Sequence, residues 1–283
     1  MDVVDIALIT IVLQLIFLEG ILSIDNAAVL GAMVAHLPND KPIPWPKQLQ
    51  FLEGWGQRVL GNQRDAALKV GLLGAYVGRG LMLVLAGWII QFPWLRVAGA
   101  GYLIYLAVHH FGQQFHQQQL AEEGNVGRLS TSGFWATVGA LELADLAFSI
   151  DNVIAAVALS DKLWIVMLGV AIGIVLMRFA AGIFSRLIAW EPAFEASAFL
   201  LLLVIGGELL LHTYAHIEFT EIQQFGISLS VLIGTIVIAR SPLRKPVVTL
   251  LWPIRWLFYI IASAVDWVMH IITWPFRRGQ NAS

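Results

Sequence analysis

Apolar runs broken by polar or proline-bearing stretches recur along the whole chain and predict seven helices, near 4–36, 67–91, 94–115, 133–160, 163–188, 194–214 and 225–241. Most of these runs reach or approach the roughly 20 residues needed to cross about 30 Å of hydrocarbon, so each is read as a membrane span. The first is too long for one straight crossing, which predicts a tilt, a break or an extension beyond the bilayer. After the seventh come Ser241, Pro242 and Pro246. A Trp-rich segment then runs from Trp252 to Phe276 and carries Arg255, Asp266 and His270. Its aromatic and polar content fits an interfacial helix better than an eighth span.

Composition supports the same class. Of 283 residues 58% are hydrophobic and only 13% are charged, where soluble domains carry about 25% charged residues. A soluble globular fold and a disordered chain are both excluded, and the lipid bilayer is the expected surrounding. With 17 basic and 19 acidic side chains the net charge is −2, which offers no polybasic face for nucleic acid. The absence of cysteine removes disulfides, thiolate metal sites and cysteine nucleophiles together. The acidic start, Met1 to Asp5, runs straight into the first apolar segment without a basic leader pattern, and is read as retained.

Basic residues sort strongly by side. Lys41, Lys47, Arg58, Arg64, Lys69, Arg128, Arg186, Arg240, Arg244, Lys245, Arg255, Arg277 and Arg278 fall on one side of the predicted spans, whereas Arg96 and Lys162 fall on the other. Because basic residues are retained in the cytoplasm, this places the N-terminus outside and the C-terminus inside.

The chain also repeats itself. Ser23-Ile24-Asp25-Asn26 recurs as Ser149-Ile150-Asp151-Asn152, with Glu19 four residues before the first serine and Asp145 four before the second. Arg79 and Arg178 follow in the next predicted helices, and Pro93 and Pro192 open the third ones at the same spacing. Three spans per unit is odd, so the second unit must cross upside down. The expected architecture is all-α and polytopic: two inverted three-helix repeats plus a seventh helix and the C-terminal segment. Its parts are 1–115 with a cytoplasmic loop at 37–66, a loop at 116–132, the second repeat at 133–214, the seventh helix at 225–241 and the tail at 242–283.

Inside these spans lie Glu19, Asp25, Glu142, Asp145, Asp151 and Glu208, against Arg79 and Arg178. An ionised carboxylate or guanidinium at mid-helix costs about 2.5–3.5 kcal/mol on insertion scales, so such groups face a bundle interior and mark an ion path or a proton relay. Two arginines leave an excess of acid that protons or a bound divalent cation would neutralise. Glu19, Ser23 and Asn26 share one helical face, as do Glu142, Asp145, Ser149 and Asn152. Asp25 and Asp151 are turned about 120° away. Either they face a second groove, or the helix breaks at the repeated tetramer and frees carbonyls as ligands. Carboxylate, amide and carbonyl oxygens suit Mn²⁺, Mg²⁺ or Ca²⁺ rather than Zn²⁺ or Cu⁺.

The seven histidines sit mostly at span ends and suggest no competing site. No H-E-x-x-H, G-x-S-x-G or phosphate-binding loop is present, so the expectation is a protein that is not an enzyme and needs no cofactor beyond its ion.

The paired segments Leu18–Asn26 and Glu142–Val153 resemble those of the TerC family of integral membrane proteins, named for tellurium resistance. The resemblance covers roughly residues 5–240. It implies seven spans in inverted halves and export of manganese; related members are linked to calcium or proton-coupled cation exchange and to thylakoid protein insertion. By motif position it implies that Asp25, Asn26, Asp151 and Asn152 form the ion-binding core, flanked by Glu19 and Asp145. Ser23, Ser149, Glu142, Arg79, Arg178 and Glu208 support them. Glu208 departs from the family, which has Gly followed by a basic residue there. The leading expectation is therefore a divalent-cation exporter, most of all for Mn²⁺ and with protons as the coupling ion, in a plasma (inner) or thylakoid-type membrane. Asp25 and Asp151 should converge near the midplane. The competing readings are an insertion or scaffold factor with a structural acidic core, and an intramembrane aspartyl protease, which the lack of G-x-G-D disfavours.

Overall fold

A computed structural model describes residues 12–14, 16, 24–46, 50–51, 53–86, 91–122, 133–159 and 163–278. Every regular element among them is helical. In chain order these are α1 (Ile24–Ala35), α2 (Glu53–Leu60), α3 (Gln63–Val84), α4 (Trp94–Glu122), α5 (Phe134–Leu159), α6 (Leu163–Trp190), α7 (Ala193–Leu210), α8 (Glu221–Arg240), α9 (Arg244–Leu250) and α10 (Trp252–Arg278). A single π turn, Leu211–Ala215, extends α7 and ends at His216 in the left-handed conformation (φ 53°). α8 starts at a capping box, with Thr220 and Gln223 satisfying each other's backbone N–H groups.

Among the described residues four helices are long and apolar enough to cross a bilayer: Gln63–Val84, Trp164–Trp190, Ala193–Ala215 and Ile222–Arg240. A fifth crossing is added if α9 and the first part of α10, bent by 52° at their junction, count as one. The seven expected spans are thus not all met. The reasons differ by segment. Much of 4–36 lies outside the described residues, leaving only α1. α4 and α5 have the length, at about 43 and 39 Å from a 1.5 Å rise per residue, but α4 carries Arg96, His109 and His110, and α5 carries Glu142, Asp145 and Asp151.

α1, α3, α5 and α6 pack side by side: α1 lies on α6, α3 lies on α5 and α6, and α1 also touches α5. α4 and α7 close the other side, each packing on the other, while α4 also packs on α5 and α7 on α1. Helix association in lipid gains little from hydrophobicity and depends on close backbone approach. Gly31 supplies this for α1 on α6. A Cβ there would stand 2.7 Å from the Ala181 carbonyl and 2.8 Å from Phe184 Cβ.

The proline-bearing loop folds back over one end of this group. Gln63 donates to the Pro42 carbonyl at 2.8 Å, and Trp135 donates to that of Pro44 at 2.6 Å. Arg64 reaches the carbonyls of Ala35 and Leu37, closing the last turn of α1. The Trp-rich tail is one long helix docked on α4: Phe258 stacks on Phe111, Tyr259 on His116, and Arg255 lies 5.4 Å over the Phe115 ring. Its opposite side exposes Ile254, Trp256, Leu257, Ile261 and Trp267.

Candidate acidic core of the helix bundle

α5 presents the polar stripe expected of Glu142, Asp145, Ser149 and Asn152, and it does so without a break. The helix runs unbroken through Ser149-Ile150-Asp151-Asn152. Of the two alternatives open at the second copy of the tetramer, the helix break does not occur. Ser149 Oγ donates to the Asp145 carbonyl one turn back at 2.6 Å, so its hydroxyl is satisfied within the helix and no carbonyl is released as a ligand.

Asp145 meets Arg79 of α3. Arg79 Nη2 donates to Oδ1 at 2.8 Å and Nε to Oδ2 at 3.4 Å, engaging both carboxylate oxygens. Arg79 is 0% exposed and Asp145 2%. Sealed from water and held in this forked geometry, the pair fixes α3 on α5. Arg79 Nη2 also lies 3.6 Å from Met177 Sδ on α6. Sequence reasoning missed Met177, because a thioether carries no pattern that marks it as a hydrogen-bond acceptor.

Several polar atoms are buried without a hydrogen-bond partner among the described residues: Glu142 Oε1 and Asn152 Nδ2 on α5, Arg178 Nη1 and Ser185 Oγ on α6, Glu208 Oε1 on α7, and Trp45 Nε1 in the proline-bearing loop. Glu142 packs against α3 where Gly74 leaves room; any side chain at that position would collide with its carboxylate. Beside it is a cavity of about 20 Å³ between α1, α3, α5 and α6, lined by Leu30, Leu68, Leu141, Asp145, Met177 and Arg178 among others. That is room for one water-sized occupant. The two repeat-related arginines thus differ: Arg79 is locked on Asp145, whereas Arg178 is half-buried at the wall of the same cavity. The acid whose charge acts on Arg178 is Asp65, exposed in the first turn of α3.

The first copy of the motif is built around Asp25 in the first turn of α1. Its Oδ1 accepts from the Asn26 N–H at 2.8 Å, and its Oδ2 accepts from Ser228 Oγ of α8 at 3.2 Å. Ser228 and Asn26 are buried, at 2% and 6% exposed. The charge of Asp25 also acts on Glu208 of α7. Two polar groups result, Asp25 with Ser228 and Glu208, and Asp145 with Arg79, Glu142 and Arg178. Ser228 was not foreseen, since a lone serine in the seventh helix shows no spacing relation to the repeat.

Glu19, Ser23 and the Asp151 side chain lie outside the described residues, and with them the expected approach of Asp25 to Asp151. Among the described residues no three His, Asp or Glu side chains stand close enough together to hold a metal ion.

The fold, its buried ion pair and its acidic helices can now be set beside known proteins. The profile described as the integral membrane protein TerC family matches residues 55–247. This chain belongs to the TerC family. The match contains Arg79, Glu142, Asp145, Asp151, Arg178 and Glu208, and starts after Asp25 and Asn26, so it is narrower at the front than the motif resemblance. In Bacillus subtilis (strain 168), the uncharacterized membrane protein YceF is 39% identical over 196 residues, covering 68% of this chain and 67% of that protein. YkoY, an uncharacterized membrane protein of the same organism, is 33% identical over 230 residues, covering 76% of this chain but only 63% of its own length. The inner membrane protein YgdQ of Escherichia coli (strain K12) is 27% identical over 215 residues, covering 71% and 79%. No solved structure matches the chain. The protein is an integral membrane protein of this family, with helices long and apolar enough to cross a bilayer.

Proposed function

We propose that this TerC-family protein is a secondary transporter that exports divalent metal cations, Mn²⁺ foremost, through an acidic site between two inverted three-helix repeats. The observation that carries the reading is the set of unpartnered buried polar atoms on Glu142, Asn152, Arg178 and Glu208. Almost every buried polar atom of a static scaffold is hydrogen-bonded, and in a membrane an orphaned one is more costly still. Groups kept in that state are suited to water and ions that come and go.

Helix packing supports the inverted arrangement: exchanging α1, α3, α4 with α5, α6, α7 exchanges the packed pairs. α1 on α6 becomes α5 on α3, and α1 on α7 becomes α5 on α4. The ligands in this reading are Asp25, Asn26, Asp151 and Asn152, with Glu19 nearby. Glu142 and Glu208 are the proton carriers, and the N-terminus is outside with the C-terminus cytoplasmic. Asp145, already engaged by Arg79, is a positioning group beside the path rather than a free ligand. The same ion pair favours the second reading, a scaffold or insertion factor whose acidic core only holds helices together.

Metal content separates the two. Cells lacking the protein and grown in excess Mn²⁺ should accumulate more cellular Mn²⁺ than the parent, with other membrane proteins at normal levels. Unchanged Mn²⁺ with depleted membrane proteins would favour the scaffold.

A further inference from the structure

Hydroxyls on the bundle helices bond back to their own backbone. Ser149, Thr213, Ser230 and Thr235 each donate to the carbonyl one turn earlier, at 2.6, 2.8, 2.7 and 2.7 Å, because in an apolar setting that carbonyl is the nearest acceptor. Ser228 of α8 does otherwise. It is 2% exposed, and its Oγ donates across to Asp25 Oδ2 of α1 at 3.2 Å. The contact joins the helix that stands outside the repeat to the first copy of the repeated tetramer. It is a loose bond, since a hydroxyl on a carboxylate closes to about 2.5–2.7 Å. The spacing suits another use: cis ligands at right angles lie about 1.4 times the metal–oxygen distance apart, or about 3.0–3.3 Å for bonds of about 2.1–2.3 Å. The other Asp25 oxygen accepts from the Asn26 N–H at 2.8 Å, which fixes the rotation of the carboxylate. On α7, which packs against both α1 and α8, Glu208 Oε1 is buried without a partner among the described residues.

Resting on the transport reading above, we propose that Ser228 supplies a hydroxyl oxygen to the cation that Asp25 takes up, so that α8, which has no counterpart in either repeat, completes the site. An ion seated between Asp25 Oδ2 and Ser228 Oγ replaces the hydrogen bond that now joins them. The hydroxyl proton turns away from the carboxylate, and the oxygen, which keeps two lone pairs, turns to the ion. A neutral hydroxyl adds a hard ligand without adding charge. It therefore favours ions bound by mixed neutral and anionic oxygens, such as Mn²⁺, over ions that prefer sulfur.

The chain contains no cysteine, so Ser228→Cys places a single thiol at the proposed ligand position of the full-length protein. In detergent this variant should bind Cd²⁺ at least about tenfold more tightly than the parent while its Mn²⁺ binding weakens, because thiolate prefers the softer ion. It should also show an ultraviolet sulfur-to-Cd²⁺ charge-transfer band, which the parent lacks. Adding Asp25→Asn should abolish the band at the same Cd²⁺ concentration, and excess Mn²⁺ should bleach it, since thiol and carboxylate share one ion. Ser228→Ala should weaken Mn²⁺ binding by about tenfold, and Ser228→Thr, which keeps the hydroxyl, should bind nearly as the parent does. A hydrogen bond that only holds α8 on α1 gives a different pattern: the Ala and Cys variants melt lower, and the ratio of Cd²⁺ to Mn²⁺ affinity stays that of the parent. That pattern overturns the inference, as does a band indifferent to both Asp25 and Mn²⁺. Should Ser228→Cys fail to fold, equal Mn²⁺ affinity in the Ala and Thr variants overturns it. Mn²⁺ flux into liposomes keeps the two readings apart. Flux in the parent with unchanged affinities in the variants overturns the role of Ser228 alone, whereas a parent that neither binds nor moves Mn²⁺ overturns the transport reading and this inference with it.

Discussion

Replacing Arg79 by Met strands Asp145 in the bundle. Both partners are sealed, with side chains 0% and 3% exposed, and their strong contact is 2.8 Å. Removing one member of such a buried pair costs about 3–5 kcal/mol, because the survivor keeps its desolvation penalty and loses its counter-charge. For a chain of this size each kcal/mol corresponds to roughly 2–4 °C in melting temperature, so Arg79→Met should melt on the order of 10 °C lower in detergent. Asp145→Asn should cost more: a stranded carboxylate can take up a proton, whereas a stranded guanidinium cannot shed one. The double variant Arg79→Met/Asp145→Leu should recover most of the loss, since well-packed apolar replacements of buried pairs are often neutral. Melting curves for the four proteins form a double-mutant cycle. If Arg79→Met melts within about 2 °C of the parent, or if the double variant is as unstable as the sum of the singles, the pair does not hold α3 on α5 as argued.

Gly31→Ala should destabilise by about 1–3 kcal/mol, because its Cβ meets backbone atoms that cannot step aside, whereas Gly80→Ala, with nothing within 4 Å, should be neutral or slightly stabilising. Melting temperatures of the two single variants check this. At the turn between α6 and α7, Arg240 holds Glu191 ionised through a 2.8 Å hydrogen bond, with the Ala193 N–H adding to it, so the Glu191 carboxyl lies below its ordinary range. Its contribution to stability is present at neutral pH and is lost as pH falls through that depressed value, so Glu191→Gln should lower the melting temperature at pH 7 and progressively less as the pH is lowered below the ordinary carboxylate range, with the difference shrinking in high salt. Gly112→Leu should detach α10 from α4, since a Cβ at 112 already approaches the Phe258 carbonyl to 2.9 Å; faster proteolysis after Arg255 in the intact protein reads the detachment.

Helix positions were legible because lipid demands long uninterrupted apolar runs, and α5 through α8 begin and end within a few residues of the expected bounds. The shortage of counter-charges among the in-span acids was legible, but the pairing of Arg79 with Asp145 was not, because it depends on which helices lie alongside. Equivalent positions in a repeat need not adopt equivalent states, and Arg178 shows the difference. Between a second groove and a helix break at the second tetramer the sequence alone did not choose; the break is absent for a local reason, since a serine hydroxyl that bonds back one turn leaves the backbone ladder intact. Ser228 and Met177 were hidden because their roles come from which helices lie alongside, and no periodicity along the chain encodes that. The tail packs as a helix on α4, a docking that aromatic content alone did not specify.

The central claim is that the acidic core moves a divalent cation. Mn²⁺ flux into liposomes bearing the purified protein tests it most directly, with Asp25→Asn and Asp151→Asn as companions. The account predicts saturable flux in the parent and its loss, by at least about tenfold, in either variant while folding and melting temperature are retained, because each removes an acid from the proposed ligand set. Flux in the parent no greater than in protein-free liposomes, or undiminished flux in both variants, would contradict it.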